Sequence, residues 1–534
     1  MKRISSDIFC TLHTIAQTQA LEKHLAALLP PHTLMAKAGE AVAKLAKALV
    51  PHAKCIWIAC GPGNNGGDGL VAAARLAPWA KKNGVDLRVS WCGDELHAPL
   101  DAQWALSLAR SNEIKFTDQA PPQCDLVIDA ILGIGCRTTN IHSLDALYDG
   151  HLLKLLAEMH SINATRLCVD VPSGLNADNG SHSIANYLIS KSEVTIHTLS
   201  LLTLKPGLFT ADGRDSAGQV WFDDLGADSA QLSLLVSHEP KDVRLGPKSS
   251  LVTSRAGLHS SHKGTYGDVW VLGGQHITQS GAGMTGAAVL AARAALNTGA
   301  GRAFVIPLGE PEIDWDPAQP ELMFRSTRTL NDQPHPLPGS WVCGCGGGSL
   351  VVPYIPLLLR RATALVLDAD ALNAIALDPL LAELLHTRWG NSQWTVATPH
   401  PLEAARLLGC STRAVQADRL TSARAIAHRY NVICVLKGSG TVVATPKGQV
   451  AINPSGNAKL ATAGTGDVLA GMLGTTLAHF IQTQRQGCDA VSALADAVSQ
   501  SVWWHGHIAD CWTADTPTLT ASRLSQALGT RNGR

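Results

Sequence analysis

The segment "ATAGTGDVLAGM", which begins at Ala461, gathers glycines around one acid, Asp467, and then continues as an apolar, helix-like run. A helix N-terminus exposes unpaired N–H groups and a partial positive charge. Glycines let anionic oxygens approach such a backbone closely. "AGTGD" therefore reads as an anion cradle that opens a helix. An acid in the first turn can simply complement the helix dipole. Placed where a phosphate should bind, it has a second use, as a general base that takes the proton from an attacking hydroxyl. Two more phosphate-site elements lie nearby in the chain. "VLKGSGT" puts Lys437 at a strand end before a glycine turn, and "NPSGN" supplies further backbone amides.

A second constellation lies far upstream. "GPGNNGG" satisfies GxGxxG with Gly61, Gly63 and Gly66, alone a weak dinucleotide fingerprint. The acid that would hold ribose hydroxyls belongs at the end of the next strand, but Asp86 stands at the start of "DLRVSW". The loop also carries Asn64, Asn65 and Asp68, which a pyrophosphate cradle does not require; a helix cap would be enough to explain Asp68. Asp129 closes "LVIDA" ahead of "LGIGCRTT", and Asp170 closes "CVDV" ahead of "PSG". Ligands of open α/β sheets bind beyond the carboxyl ends of strands. Asn65, Asp129, Asp170 and Ser173 can thus converge on one crevice, where hard oxygen ligands suit an alkali or alkaline-earth cation or a polar ligand.

The elements that must position these groups repeat one grammar: apolar strand, glycine-rich turn, helix. The first block spans about residues 21–224, with "CIWIAC", "DLRVSW", "CDLVIDAIL", "RLCVDVPSG" and "EVTIHTL" as strands and "LVAAARLAPWAKK" as a helix. The second begins near residue 250, with strands "GDVWVLGG", "GRAFVIPLG", "SWVCGCG", "ATALVLDAD", "QWTVATPH" and "VICVLKG" and helices such as "GAAVLAARAAL" and "LTSARAIAHRY". Such alternation implies parallel sheets covered on both faces. "ATPKGQVAIN" reads as a small hairpin turning at Pro446 and Gly448. The stretch between the blocks lacks clean periodicity and ends in Gly246 and Pro247, which places the boundary there.

Bulk composition narrows the class. At 534 residues the chain is too long for one ordinary core, so two domains are expected. Lys+Arg and Asp+Glu both number 43, which leaves no basic excess for nucleic acid. The 13 cysteines form no CxxC pair and suit a reducing cytosol; the 21 histidines show no HExxH spacing. No apolar run reaches the roughly 18 residues a membrane span needs, and the N-terminus lacks the apolar stretch of a signal peptide. No nucleic acid, no membrane and a cytoplasmic location are the expectations.

"GPGNNGGDG", "IDAILGIG" and "VDVPSGL" resemble the YjeF N-terminal domain, the NAD(P)H-hydrate epimerase. "MAKAGEAVA" fits that family's N-terminal helix, with MAKAG where MENAG is usual. The resemblance implies a potassium site on Asn65, Asp129 and Ser173. It places the hydrate against Asn64, Asn65, Gly66, Gly67 and Asp68, and against Gly133, Ile134 and Gly135. Cys136, Arg137, Thr138 and Thr139 continue that loop, in which "GIGCR" departs from the usual GTGL. Asp170 completes the set and is the expected proton-transfer acid.

Downstream, the GxGD segment resembles the ribokinase-like fold, and within it the ADP/ATP-dependent NAD(P)H-hydrate dehydratases. "HKGTYGDVWVLGG", "TGAAVLAARAALNTGAG", "VLDADAL", "TPHPLEAARLL", "VLKGSGTVVA" and "GTGDVLAGML" occur in that family's order. The resemblance implies adenine nucleotide at Lys437, Gly438, Ser439, Gly440, Thr441 and Gly466, with Mg2+ and with ADP favoured over ATP. The hydrate would meet Ala287, Gly348, His400 and Asp467, the last as base. The family's PGLG reads "CGGG" from Cys345, and Leu402 replaces a glycine in "PHPLE". The expected fold is α/β in two domains: a Rossmann-like three-layer domain over residues 1–225, a linker over 226–249, and a ribokinase-like α/β/α domain over 250–534. The expected partners are NAD(P)HX and ADP or ATP, in a homo-oligomer. The alternative is a small-molecule kinase fused to a non-catalytic YjeF-like binding domain.

Overall fold

Apolar strands followed by glycine turns build two separate sheets in the computed structural model, which describes residues 1–135, 150–182, 194–227, 243–248, 259–310, 313–483, 490–513 and 515–529. The chain divides into two compact units, one of Met1–Ser5 and Thr11–Glu239, the other of Ser6–Cys10 and Pro240–Arg534.

In the first unit the sheet order is Lys2–Arg3, Gln219–Asp223, Ile196–Leu201, Thr165–Val169, Leu126–Ala130, Cys55–Cys60, Asp86–Trp91, Lys115–Phe116. All neighbours are parallel except the Lys2–Arg3 edge. Cys55–Cys60 and Leu126–Ala130 are almost wholly buried, as strands covered on both faces should be. Chain order reverses between these two strands, which makes their carboxyl ends a topological switch point.

The helix after the first strand begins at Asn64 and runs to Asn83, so "NNGGDG" is helix rather than loop. The sequence reading started it at Leu70 because glycine is a poor helix former. Close packing overrides that propensity. A Cβ on Gly67 would stand 2.5 Å from the Met35 side chain, and one on Gly69 2.6 Å from Ala130. At the turn itself, a Cβ on Gly61 would meet the Ile131 carbonyl at 1.9 Å.

In the second unit the order runs Met323–Phe324, Arg302–Leu308, Asp268–Gln275, Leu337–Cys343, Ala362–Leu367, Trp394–Ala397, Ile433–Leu436, Val442–Ala444, Val450–Ile452, Val243–Leu245. The strands are parallel up to Ile433–Leu436; Val442–Ala444 is antiparallel to both its neighbours, and its turn to Val450–Ile452 contains Pro446 and Gly448. The switch point falls between Asp268–Gln275 and Leu337–Cys343. Within the stretch read as linker, Val243–Leu245 forms a strand parallel to Val450–Ile452; three residues are too few to show a period. Helix Thr465–Thr483, which carries Asp467, packs on the alanine-rich helix Thr285–Thr298 and on the sheet. Gly471 makes this contact possible, since a Cβ there would lie 1.9 Å from the Ala291 carbonyl. Gly471→Ala is expected to destabilise the second unit by about 1–3 kcal/mol through overpacking, measured by urea unfolding; an unchanged midpoint would show that the two helices can separate freely.

Candidate active sites

Asn64, Asn65 and Asp68 sit in the first turns of helix Asn64–Asn83, and Gly133, Ile134 and Gly135 follow the neighbouring strand. Together with Asp170 they line a cavity of about 880 Å³ at the first switch point. Gly66 and Gly67 do not line it; they face the packed interior. Cys136, Arg137, Thr138 and Thr139 lie outside the described residues.

Asp129 and Ser173 meet beneath this cavity. Ser173 donates its hydroxyl to Asp129 Oδ1 at 2.5 Å and its amide to Oδ2 at 3.0 Å, and the same hydroxyl accepts from Leu132 N at 2.8 Å. Burial pushes the Asp129 carboxyl up, against the pull of its hydrogen bonds from Ser173. Asn65 lies against the same loop: a Cβ on Gly133 would stand 3.2 Å from its Oδ1, and its buried Nδ2 finds no partner among the described residues. The Asp129 carboxylate, the Asn65 amide oxygen and the Ser173 hydroxyl are oxygen donors of the kind that fits an oxygen-loving monovalent cation.

Asp170 sits at φ +65°, a left-handed conformation uncommon for a side-chain-bearing residue. Lys205, with no exposed surface, donates to Asp170 Oδ1 and also to the Leu201 carbonyl at 2.7 Å. Leu201 N donates to Oδ1 as well, at 3.0 Å, and among the described residues Oδ2 accepts nothing. Two further acids face the same cavity. Burial, and then the Asp170 charge, push Glu22 above the ordinary carboxylate range and Asp68 well above it. Asp68 is in the helix body, so it is not a cap.

In the second unit, Lys437 ends strand Ile433–Leu436 and donates to Asp368 Oδ1 at 2.6 Å. Asp368 follows strand Ala362–Leu367, and its Oδ1 also accepts from Thr398 Oγ1 at 2.8 Å. Glu403 lies 4.0 Å from Lys437 on the other side. Burial alone would lower the Lys437 ammonium, but Asp368 and Glu403 more than reverse it, so it is raised and stays charged. A Cβ on Gly466 would lie 3.6 Å from Lys437 Nζ, which sets this cation beside the start of helix Thr465–Thr483. Gly438 is backed by the guanidinium of Arg419, which donates to the Leu436 and Lys437 carbonyls at 3.2 and 3.1 Å and so shapes the turn through Ser439, Gly440 and Thr441.

Asp467, in the first turn of that helix, is half-buried. Burial first, and then the charge of Asp368, raise its carboxyl to about 6, while Cys345 and Lys437 pull the other way. Gly348 N donates to Asp370 Oδ2 at 2.7 Å, and Ala287 packs against Gly346. His400 is the N-cap of helix Pro401–Leu408. Its Nδ1 accepts from Leu402 N and Glu403 N, while its Nε2 faces Glu403 Oε1 at 3.1 Å. Both ring nitrogens are thereby taken, and what His400 can offer a ligand is its exposed ring surface. Asp368, Glu403 and Asp467 bring carboxylates around one lysine, with Asp370 near Asp467, a donor set that fits Mg2+ carried on nucleotide phosphates.

Asp368, Glu403, Arg419 and Lys205 were not among the residues singled out from sequence. Asp368 and Glu403 sit inside motifs already recognised, "VLDADAL" and "PHPLE". Lys205 announces itself only as a lone cation in the apolar run "LLTLKPGL", and Arg419 carries no signal that separates it from a surface arginine.

Fold and sites together define a two-unit α/β enzyme: a cavity with a buried Asp–Lys pair in one unit, a half-buried carboxylate at a helix N-terminus in the other. Residues 31–207 match the family described as YjeF-related protein N-terminus, and residues 269–529 match NAD(P)H-hydrate dehydratase. The chain is 34% identical over 490 residues to the bifunctional NAD(P)H-hydrate repair enzyme Nnr of Escherichia coli, covering 90% of this chain and 87% of that one. It is 32% identical to the enzyme of the same description from Gloeobacter violaceus, over 97% of both chains. Among solved structures, the ADP/ATP-dependent NAD(P)H-hydrate dehydratase of Bacillus subtilis, co-crystallised with ATP/Mg2+, aligns at 28% identity and TM-score 0.42, over 52% of this chain and 92% of that one. The chain belongs to the family of bifunctional NAD(P)H-hydrate repair enzymes.

A carboxyl raised on folding binds its proton more tightly in the folded chain than in the unfolded one, so it favours folding at low pH and loses that advantage as pH rises through about 6. Asp467→Asn is therefore expected to raise Tm above that pH and to leave it unchanged below the ordinary carboxylate range, as followed by calorimetry across pH. A Tm that falls at neutral pH would mean the ionised carboxylate is stabilised where it sits.

Proposed function

We propose that this chain repairs hydrated nicotinamide cofactors: its first unit interconverts the R and S forms of NAD(P)HX, and its second unit returns the S form to NAD(P)H at the expense of ADP or ATP. The observation that carries the second half is Asp467, a desolvated carboxylate raised to about 6 and seated where helix N–H groups and Lys437 can hold phosphates. Hydroxide leaves a ring carbon poorly. Asp467 takes the proton of the ring hydroxyl, whose oxygen then accepts the nucleotide's terminal phosphoryl group. Lys437 and the amides of residues 464–466 meet the charge on that group; loss of one such donor typically costs about 3 kcal/mol. Phosphate departs with its bonding electrons, a proton leaves the adjacent carbon, and the ring double bond returns. Magnesium, when bound with nucleotide, supplies charge neutralisation; Asp368, Asp370 and Glu403 are the carboxylates within reach to hold it. A kinase would retain the phosphorylated product, whereas this second unit belongs to the dehydratase family.

In the first unit Asp170 is the proton-transfer group. Lys205 fixes its Oδ1, which leaves Oδ2 for the substrate. Potassium on Asn65, Asp129 and Ser173 would hold the loop that follows Leu132 in place, since Ser173 already links Asp129 to Leu132 N. Of the two nucleotides, ADP is the phosphoryl donor this proposal favours.

The two chemistries separate by mutation. Asp467→Asn is expected to lower nucleotide-dependent recovery of reduced-nicotinamide absorbance from S-hydrate by at least about 10²-fold, with epimer exchange intact by chromatography. Asp170→Asn should do the reverse. Loss of both activities in either variant would contradict independent sites.

A further inference from the structure

The crevice that holds Asp467 contains a group its phosphoryl chemistry does not use. Cys345 follows strand Leu337–Cys343 at the switch point, and its thiol has no exposed surface. The Cys345 Sγ and one carboxylate oxygen each of Asp368 and Asp467 lie within 4.8 Å of one another. Sγ stands 3.9 Å from Asp368 Oδ2. Tetrahedral zinc with ordinary Zn–S and Zn–O lengths separates sulfur from oxygen by about 3.6 Å, so a shift of a few tenths of an ångström seats Cys345 and Asp368, and a side-chain movement of roughly an ångström brings in Asp467.

Backbone contacts fix two of the three donors, Cys345 and Asp368, before any metal arrives. Gly274 N donates to the Cys345 carbonyl at 2.9 Å, and a Cβ on Gly344 would stand 2.0 Å from the Asp368 carbonyl. Asp368 divides its oxygens, with Oδ1 engaged by Lys437 and Thr398 and Oδ2 turned to the thiol. A thiolate, two carboxylates, a dication and the Lys437 ammonium balance one another, and the Glu403 carboxylate 4.0 Å from Lys437 adds a further anion that favours a cation here.

The geometry points to Cys345, Asp368 and Asp467 as a site for a thiophilic divalent cation of the zinc class, whose occupancy switches the second activity off. A thiolate ligand selects zinc over magnesium, which prefers oxygen donors alone. Capture exchanges the Cys345 thiol proton for the metal and releases that proton to solvent. It also draws electron density from the Asp467 carboxylate and so lowers its basicity. Zinc then competes with Asp467 as the base and with nucleotide-bound magnesium for Asp368, and only zinc recruits the Cys345 thiolate. Only this inhibition rests on the repair function proposed above; metal capture by the three side chains does not.

The test uses full-length, metal-free protein with Zn2+ titrated against a chromogenic chelator, and Co2+ as an optical probe. The wild type is expected to bind one equivalent through this site and to show a thiolate-to-cobalt charge-transfer band. Cys345→Ser should lose the band and weaken binding by more than the about 10-fold that loss of an outer-shell partner costs. Asp467→Asn serves as a second variant should the serine variant fold poorly, and it should weaken binding in the same way. Zinc should block nucleotide-dependent recovery of the cofactor in the wild type, spare epimer exchange, and block Cys345→Ser at least about 10-fold less strongly. Equal zinc affinity in wild type and both variants, or an undiminished cobalt band in Cys345→Ser, would overturn the site. A wild type that binds zinc here but recovers no cofactor would leave the site standing and remove the repair function instead.

Discussion

A lysine ammonium held 2.6 Å from a buried aspartate, Lys437 against Asp368, sets the conditions for everything in the second unit. Charges this far out of water persist only when paired and hydrogen-bonded. Asp368 meets that condition with Lys437 and Thr398, and Glu403 adds a second anion on the far side. The lysine is thereby kept charged and stationary beside Gly466, where a phosphate can use it without reorganisation. The same arrangement acts on Asp467. The Asp368 charge raises this carboxyl and Lys437 lowers it, and burial moves the balance to about 6. That value is near the working pH, where a general base combines a large ionised fraction with useful basicity. Truncating one partner of such a pair strands the other at a cost of about 3–5 kcal/mol, so the pair is structural as well as chemical.

The first unit solves the same problem with other residues. Lys205 is fully buried and donates to Asp170 Oδ1 and to the Leu201 carbonyl. In both units the acid–cation pairs lie beyond the carboxyl ends of parallel strands, in crevices at or beside the place where strand order reverses. The difference lies in what surrounds the reacting acid. Asp170 shares its cavity with Glu22 and Asp68, both pushed toward the neutral form, and suits proton exchange on a bound ring. Asp467 stands at a helix N-terminus with glycines, and suits transfer of an anionic group.

Much of this was legible in the chain. Strand ends are marked by an acid or lysine directly after an apolar run, and that rule found Asp129, Asp170, Lys437 and the fold they imply. It is local, and it fails where function depends on contacts distant in sequence. Asp368 and Lys437 are separated by 69 positions, and nothing in either motif shows that they touch. Lys205 reaches Asp170 from 35 positions away. His400 reads as a ligand from its motif, yet its ring nitrogens are occupied by capping and by Glu403. The start of helix Asn64–Asn83 is displaced in the sequence pattern because Gly66, Gly67 and Gly69 argue against helix, and only their neighbours, Met35 and Ala130 among them, show why glycine is needed there.

In the proposed reaction Asp467 is a base whose proton affinity is set by burial against the opposing charges of Asp368 and Lys437. The most direct measurement is the pH dependence of kcat/KM for nucleotide-driven dehydration of the S-hydrate, with epimer exchange followed alongside as a control. The account predicts a rate that falls as pH drops through about 6, with one ionisation, while the control keeps its own separate profile. A dehydration rate that stays level through that range would contradict it.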